Sequence, residues 1–131
     1  MIQFSEATAI AIHVMIYIAN RKNSTISLKE IAGVFSISEN HLSKVLQRLV
    51  KVGFLTSIKG PKGGFRLVEG KELSTLMQIY ESIEGEYTRK NCLFSSRHFT
   101  PCCCIMKPLI QTVNDSFESF MNNHRISDLK L

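Results

Sequence analysis

The sequence predicts a mainly α fold with a small β-hairpin wing: a winged helix-turn-helix followed by a long C-terminal dimerisation helix. Three observations carry this expectation. Apolar residues recur at helical spacing in three successive segments before Gly53, the last two separated by a short break. Two short runs flank a glycine-rich stretch at 60–64, as in a hairpin. A final apolar stripe, Leu109 to Met121, follows a region that holds all four cysteines.

In the first helix Ala7, Ile10, Ala11, Val14 and Ile18 repeat at three and four, which predicts an amphipathic element ending near Asn20-Arg21. Ser27-Leu28-Lys29-Glu30 has the spacing of a capping box and opens a short second helix burying Leu28, Ile31 and Ala32. After Phe35-Ser36-Ile37, Ser38 caps a third helix that buries Leu42, Val45, Leu46, Leu49 and Val50, with Gly53 as its left-handed stop. Residues 55–68 read as two strands around Gly60, Gly63 and Gly64, three glycines expected to turn through positive φ. A fourth helix carries Leu73, Leu76, Met77, Tyr80 and Ile83 and closes at Gly85. Pro108 opens the last helix, whose stripe of Leu109, Ile110, Val113, Phe117, Phe120 and Met121 finds little of its own chain to pack on and is expected to pair with a second copy. The organisation expected is a winged domain over 1–85, a cysteine-bearing sensor loop over 86–106, and a dimerisation helix and tail over 107–131.

At 131 residues the chain suits one domain with a helical extension. Its longest apolar stretch, Ala7 to Ala19, is too short to span a bilayer, and the opening Met-Ile-Gln-Phe-Ser-Glu lacks a secretion signal's basic region, so no membrane partner and a cytoplasmic location are expected. There thiols stay mostly reduced, and cysteines confined to 92–104 read better as metal or redox ligands than as disulfides. No nucleophile-base pair, paired carboxylates or nucleotide motif is found, so a binding protein and not an enzyme is predicted.

Charge is uneven. Residues 1–68 hold nine Lys/Arg against three acidic residues, a net of +6, whereas the remainder holds seven against eight, a net of −1. A polyanion is expected to meet the first half. On the third helix Ser38, Asn40, His41, Ser43, Lys44, Gln47, Arg48 and Lys51 lie off the apolar stripe and form a polar, basic face suited to a major groove of double-stranded DNA. In the hairpin Lys59, Lys62 and Arg66 supply countercharge, and Gly63 allows close approach to a phosphate.

Lys29-Glu30-Ile31-Ala32, Ser38-Glu39-Asn40-His41-Leu42, Gly60-Pro61-Lys62-Gly63-Gly64-Phe65-Arg66-Leu67 and Ile83-Glu84-Gly85 together resemble the Rrf2 family of bacterial regulators, the glycine-rich hairpin being the most specific piece. Phe4-Ser5-Glu6 and Ile126-Ser127-Asp128-Leu129 extend the resemblance to both ends, and Asn40-His41 with Thr100-Pro101-x-Cys103 resembles the nitric-oxide-responsive branch. The resemblance implies a homodimeric repressor on an inverted-repeat operator, with an iron-sulfur cluster, 4Fe-4S or 2Fe-2S, sensing nitric oxide, redox or iron status. Cys92 matches the family's first cysteine, and Cys103 or its neighbours Cys102 and Cys104 the third. Arg97 or His98 stands where the second would be, and Glu6 stands where some members place an acidic ligand. Zinc and a cluster-free regulator controlled by thiol oxidation or a partner protein remain the alternatives, the former because thiolate also suits zinc, the latter because Arg89, Lys90, Arg97 and His98 favour thiolates.

Overall fold

The computed structural model describes residues 2–92 and 105–131. In chain order these form α1 (Glu6–Ala19), α2 (Leu28–Phe35), α3 (Glu39–Val52), β1 (Leu55–Ile58), β2 (Gly64–Leu67), a 3-10 turn (Lys71–Leu73), α4 (Leu76–Glu84), α5 (Lys107–Asn123) and a last 3-10 turn (Ile126–Asp128). The strands pair antiparallel with Leu55 opposite Leu67 and Ile58 opposite Gly64, so the hairpin wing forms as expected.

Serine or threonine caps explain where α1 to α4 begin. Ser5, Ser27, Ser38 and Thr75 each accept a first-turn amide, satisfying a donor the helix itself cannot pair. At Ser27 the hydroxyl accepts from the Glu30 amide, and the complete reciprocal box forms instead at α4, between Thr75 and Gln78. Ser36 turns left-handed after α2, and Gly53 does so after α3 at φ 100°, where a Cβ would be strained.

The main core corrects the amphipathic reading of α1. Thr8, Ile10, Ala11, Val14, Met15, Ile16, Tyr17 and Ile18 are all buried, because α3, α4, β2 and the last 3-10 turn pack around the helix. It is therefore the central rod of the fold. Onto it pack Ile31, Leu42, Leu46, Leu49, Phe54, Leu55, Ile79 and Ile126. Burying one such aliphatic side chain contributes about 1.5–3 kcal/mol.

Two further expectations change. Leu73 is exposed and lies in the 3-10 turn, while Ile79, absent from the expected stripe, is fully buried in its place. The last helix also packs on its own chain: Met121 joins Leu76, Met77 and Tyr80 in a second core, with Phe117 against it, and Ile110 is buried. Phe117 stacks edge-on against Phe4 and Tyr80 and tilts against Tyr87, centroids 5.2–6.2 Å away. What α5 leaves outside is Leu109 and Phe120, each 53% exposed. Among the described residues no helix is long and apolar enough to cross a membrane.

Candidate nucleic-acid interface and sensor site

The polar face of α3 is set by its apolar one. With Leu42, Val45, Leu46 and Leu49 turned inward, Asn40, Lys44, Gln47, Arg48 and Lys51 are left exposed, and His41 and Ser43 half-buried. Lys44, Gln47, Arg48 and Lys51 line one cleft with Val52. Ser38 spends its hydroxyl on the His41 amide at 3.2 Å, a capping role. Arg48 donates from Nε to the Ser82 carbonyl of α4 at 2.8 Å.

The hairpin follows α3 closely, the Phe54 amide donating to the Leu49 carbonyl. Lys59 and Lys62 are exposed at its tip. Gly60 and Gly64 have positive φ, but Gly63 does not; its constraint is space, since a Cβ there would lie 2.2 Å from the Ile58 carbonyl oxygen. At Gly64 a Cβ would lie 2.2 Å from the Ile26 carbonyl oxygen, because Ile26 pairs with Phe65 through two backbone hydrogen bonds of 2.8 and 3.0 Å. That bridge adds a third partner at the root of the wing, which sequence patterning does not reveal. Arg66, expected at a phosphate, donates to the Asn23 carbonyl and thereby clasps the loop before α2.

Beyond Gly85, residues 86–92 are fastened at several points. The Tyr87 amide donates to Glu81 and its hydroxyl to Glu118, both at 3.0 Å. Burial foremost, then the bond to Glu118, pushes the Tyr87 phenol up to about 12. Arg89 bridges Asp115 at 2.7 Å and Glu118 at 3.0 Å. Buried Asn114 donates to the Lys90 carbonyl at 2.8 Å. Half-buried Cys92 follows two residues later. Glu6 is exposed in the first turn of α1. The other candidate ligands, Cys102, Cys103, Cys104 and His98, lie outside the described residues. Among the described residues no group of three or more His, Cys, Asp or Glu side chains is placed to hold a metal ion.

Sequence reasoning missed Glu84. Its Oε1 accepts from the Ser5 amide at 3.0 Å and from the Thr8 hydroxyl at 2.5 Å, hydrogen bonds that hold its carboxyl below the usual range. Partners 76 to 79 residues apart leave no local signal.

A helix pair presenting a polar basic helix, followed by a glycine-tipped hairpin, defines a winged-helix transcription regulator. The chain belongs to the Rrf2 family, whose match, described as iron-dependent transcriptional regulator, spans residues 4–130. It is 31% identical over 103 residues to the HTH-type transcriptional regulator NsrR of Bacillus licheniformis, covering 78% of this chain and 69% of that one. Its fold is similar to CymR, the global cysteine regulator of B. subtilis, with TM-score 0.79 and 22% identity over 98% of this chain and 95% of that chain. IscR of T. potens is similar at TM-score 0.72 and 22% identity, covering 97% and 85%. As a member of this family the protein is a DNA-binding transcription regulator and not an enzyme.

Proposed function

We propose that this regulator is a dimeric repressor whose cysteine loop holds an iron-sulfur cluster and whose DNA affinity follows the state of that cluster under nitric oxide, redox change or iron limitation. The observation that carries the reading is the anchoring of the chain just before Cys92: ion pairs and hydrogen bonds fix Tyr87, Arg89 and Lys90 to α4 and α5, which supports a held position for the loop's first cysteine. The family's description as iron-dependent supports it. Cys92 and Cys103, with Cys102 or Cys104, would supply thiolates; Glu6 from the partner subunit, or His98, would complete the set. When bound, such a cluster supplies redox-active iron whose potential depends on these ligands.

For the dimer, Leu109 and Phe120 are the apolar side chains of α5 left exposed, and they replace Phe117 as the seam. A two-fold dimer accounts for an inverted-repeat operator. On DNA, Asn40, Lys44 and Gln47 read base edges while Lys59 and Lys62 hold phosphates.

Anaerobic iron and sulfide analysis tests the sensor. Wild-type protein should bind iron and sulfide after reconstitution, and Cys92→Ala should bind neither. An iron-free wild type, or full iron in Cys92→Ala, overturns the cluster. In the same preparations Lys62→Ala should lower the salt slope of DNA binding by roughly 0.9, the value of one lost phosphate contact.

A further inference from the structure

We propose that the last turn of α4 is the joint through which the segment 86–92 sets the position of the recognition helix α3, with Arg48 as the positioning residue on the DNA side. Neighbouring residues of this one turn each hold a different element. Glu81 accepts the Tyr87 amide, from the segment that leads to Cys92. The Ser82 carbonyl accepts Arg48 Nε, from α3. Glu84 accepts the Ser5 amide and the Thr8 hydroxyl, at the start of α1 beside Glu6. Ile83, between them, packs against the main core and lines a cleft with His41, Lys44 and Arg48.

The backbone of a helical turn is stiff, and the Gly85 amide donates to the Glu81 carbonyl at 3.0 Å, so the start of the segment 86–92 and the Ser82 carbonyl share one piece of rigid backbone. Displacing 86–92 pulls on Glu81 and alters the Ser82 carbonyl that Arg48 grips, and hydrogen bonds weaken steeply with misalignment. Arginine suits the post, since its planar guanidinium donates from Nε in a fixed direction while keeping its charge and its remaining donors. Lysine preserves the charge and loses that geometry. An arginine that only touched a phosphate would respond to charge alone.

The inference rests on reading 86–92 as the entry to the sensor loop, but its test does not require a cluster. Full-length protein of matched iron content is titrated with a duplex that the wild type selects from a random pool, at fixed salt. Arg89→Ala removes the segment's two ion pairs to α5 and leaves the Tyr87 and Asn114 hydrogen bonds, and Arg48→Lys uncouples α3; the two form a double-mutant cycle. We expect Arg89→Ala to change the dissociation constant about five-fold with Arg48 present, and less than about two-fold in the Arg48→Lys background. The salt slope should be unchanged by Arg48→Lys. Equal changes in both backgrounds, or no change in either, overturn the joint. Tyr87→Phe, which removes the bond to Glu118, gives a second cycle should Arg89→Ala lose its helical circular dichroism. Iron content reports separately on the cluster, so that reading can fail while the joint stands.

Discussion

Helix α3 and the segment 86–92 are held by opposite kinds of force. Helix α3 is fixed by Leu42, Leu46 and Leu49, all fully buried, and its polar groups face outward. Segment 86–92 carries little apolar anchorage apart from Tyr87; it is held by Arg89 to two carboxylates, by Asn114 to a carbonyl, and by Tyr87 to Glu81 and Glu118. Apolar packing is insensitive to charge and cooperative with the whole core, whereas exposed ion pairs are weak and screened by salt. Helix α3 is thus built to persist while the segment 86–92 can be released without unfolding it.

The contrast can be broken most directly at α3. Leu46→Ala should destabilise the protein by about 2–5 kcal/mol in chemical denaturation, the range for a cavity in a close-packed core. A loss below about 1 kcal/mol would mean that α3 is not held by packing. Next in size is the wing root. Gly64→Ala places a methyl against the Ile26 carbonyl at φ 155°, and should cost about 1–3 kcal/mol of backbone strain while weakening DNA binding. Unaltered stability would deny the close approach. The smallest effect belongs to the segment 86–92 and is read from the way stability declines in alkali. The folded Tyr87 phenol titrates at about 12 against an ordinary 10.0, so its contribution is fully present below pH 10 and is lost as pH rises through 12. Tyr87→Phe should flatten that alkaline decline in urea midpoints; an identical decline in both proteins would place the titration elsewhere.

The same division decides what could be read from the sequence. Helix α3, its Ser38 cap and its Gly53 stop are encoded within sixteen neighbouring residues, and periodicity exposes them. The exposed Lys44, Gln47 and Lys51 follow once the buried stripe is known. By contrast α1 is buried nearly all round, so its composition could not reveal how many elements surround it. Phe117 looked available for a partner because Phe4, Tyr80 and Tyr87, which cover it, are distant in sequence. Leu73 fits a helical period continuing from α4, yet Thr75 with Gln78 caps the helix after it and leaves Leu73 outside. The hydrogen bonds of Arg48, Arg66 and Glu84 join residues 34 to 79 positions apart, and such pairings belong to the tertiary fold.

The bridge between Ile26 and Phe65 has a consequence for how this scaffold tolerates change in length. Ile26 immediately precedes Ser27, the cap of α2, so the wing and the helix-turn-helix share one backbone hinge point. Residues added at the tip, between Ile58 and Gly64, would lengthen the wing and leave its bearing intact. One residue added between Ile26 and Leu28 would instead rotate α2, and α3 behind it, relative to the hairpin. Variation in reach is therefore cheap in this design, and variation in the angle between hairpin and helices is not.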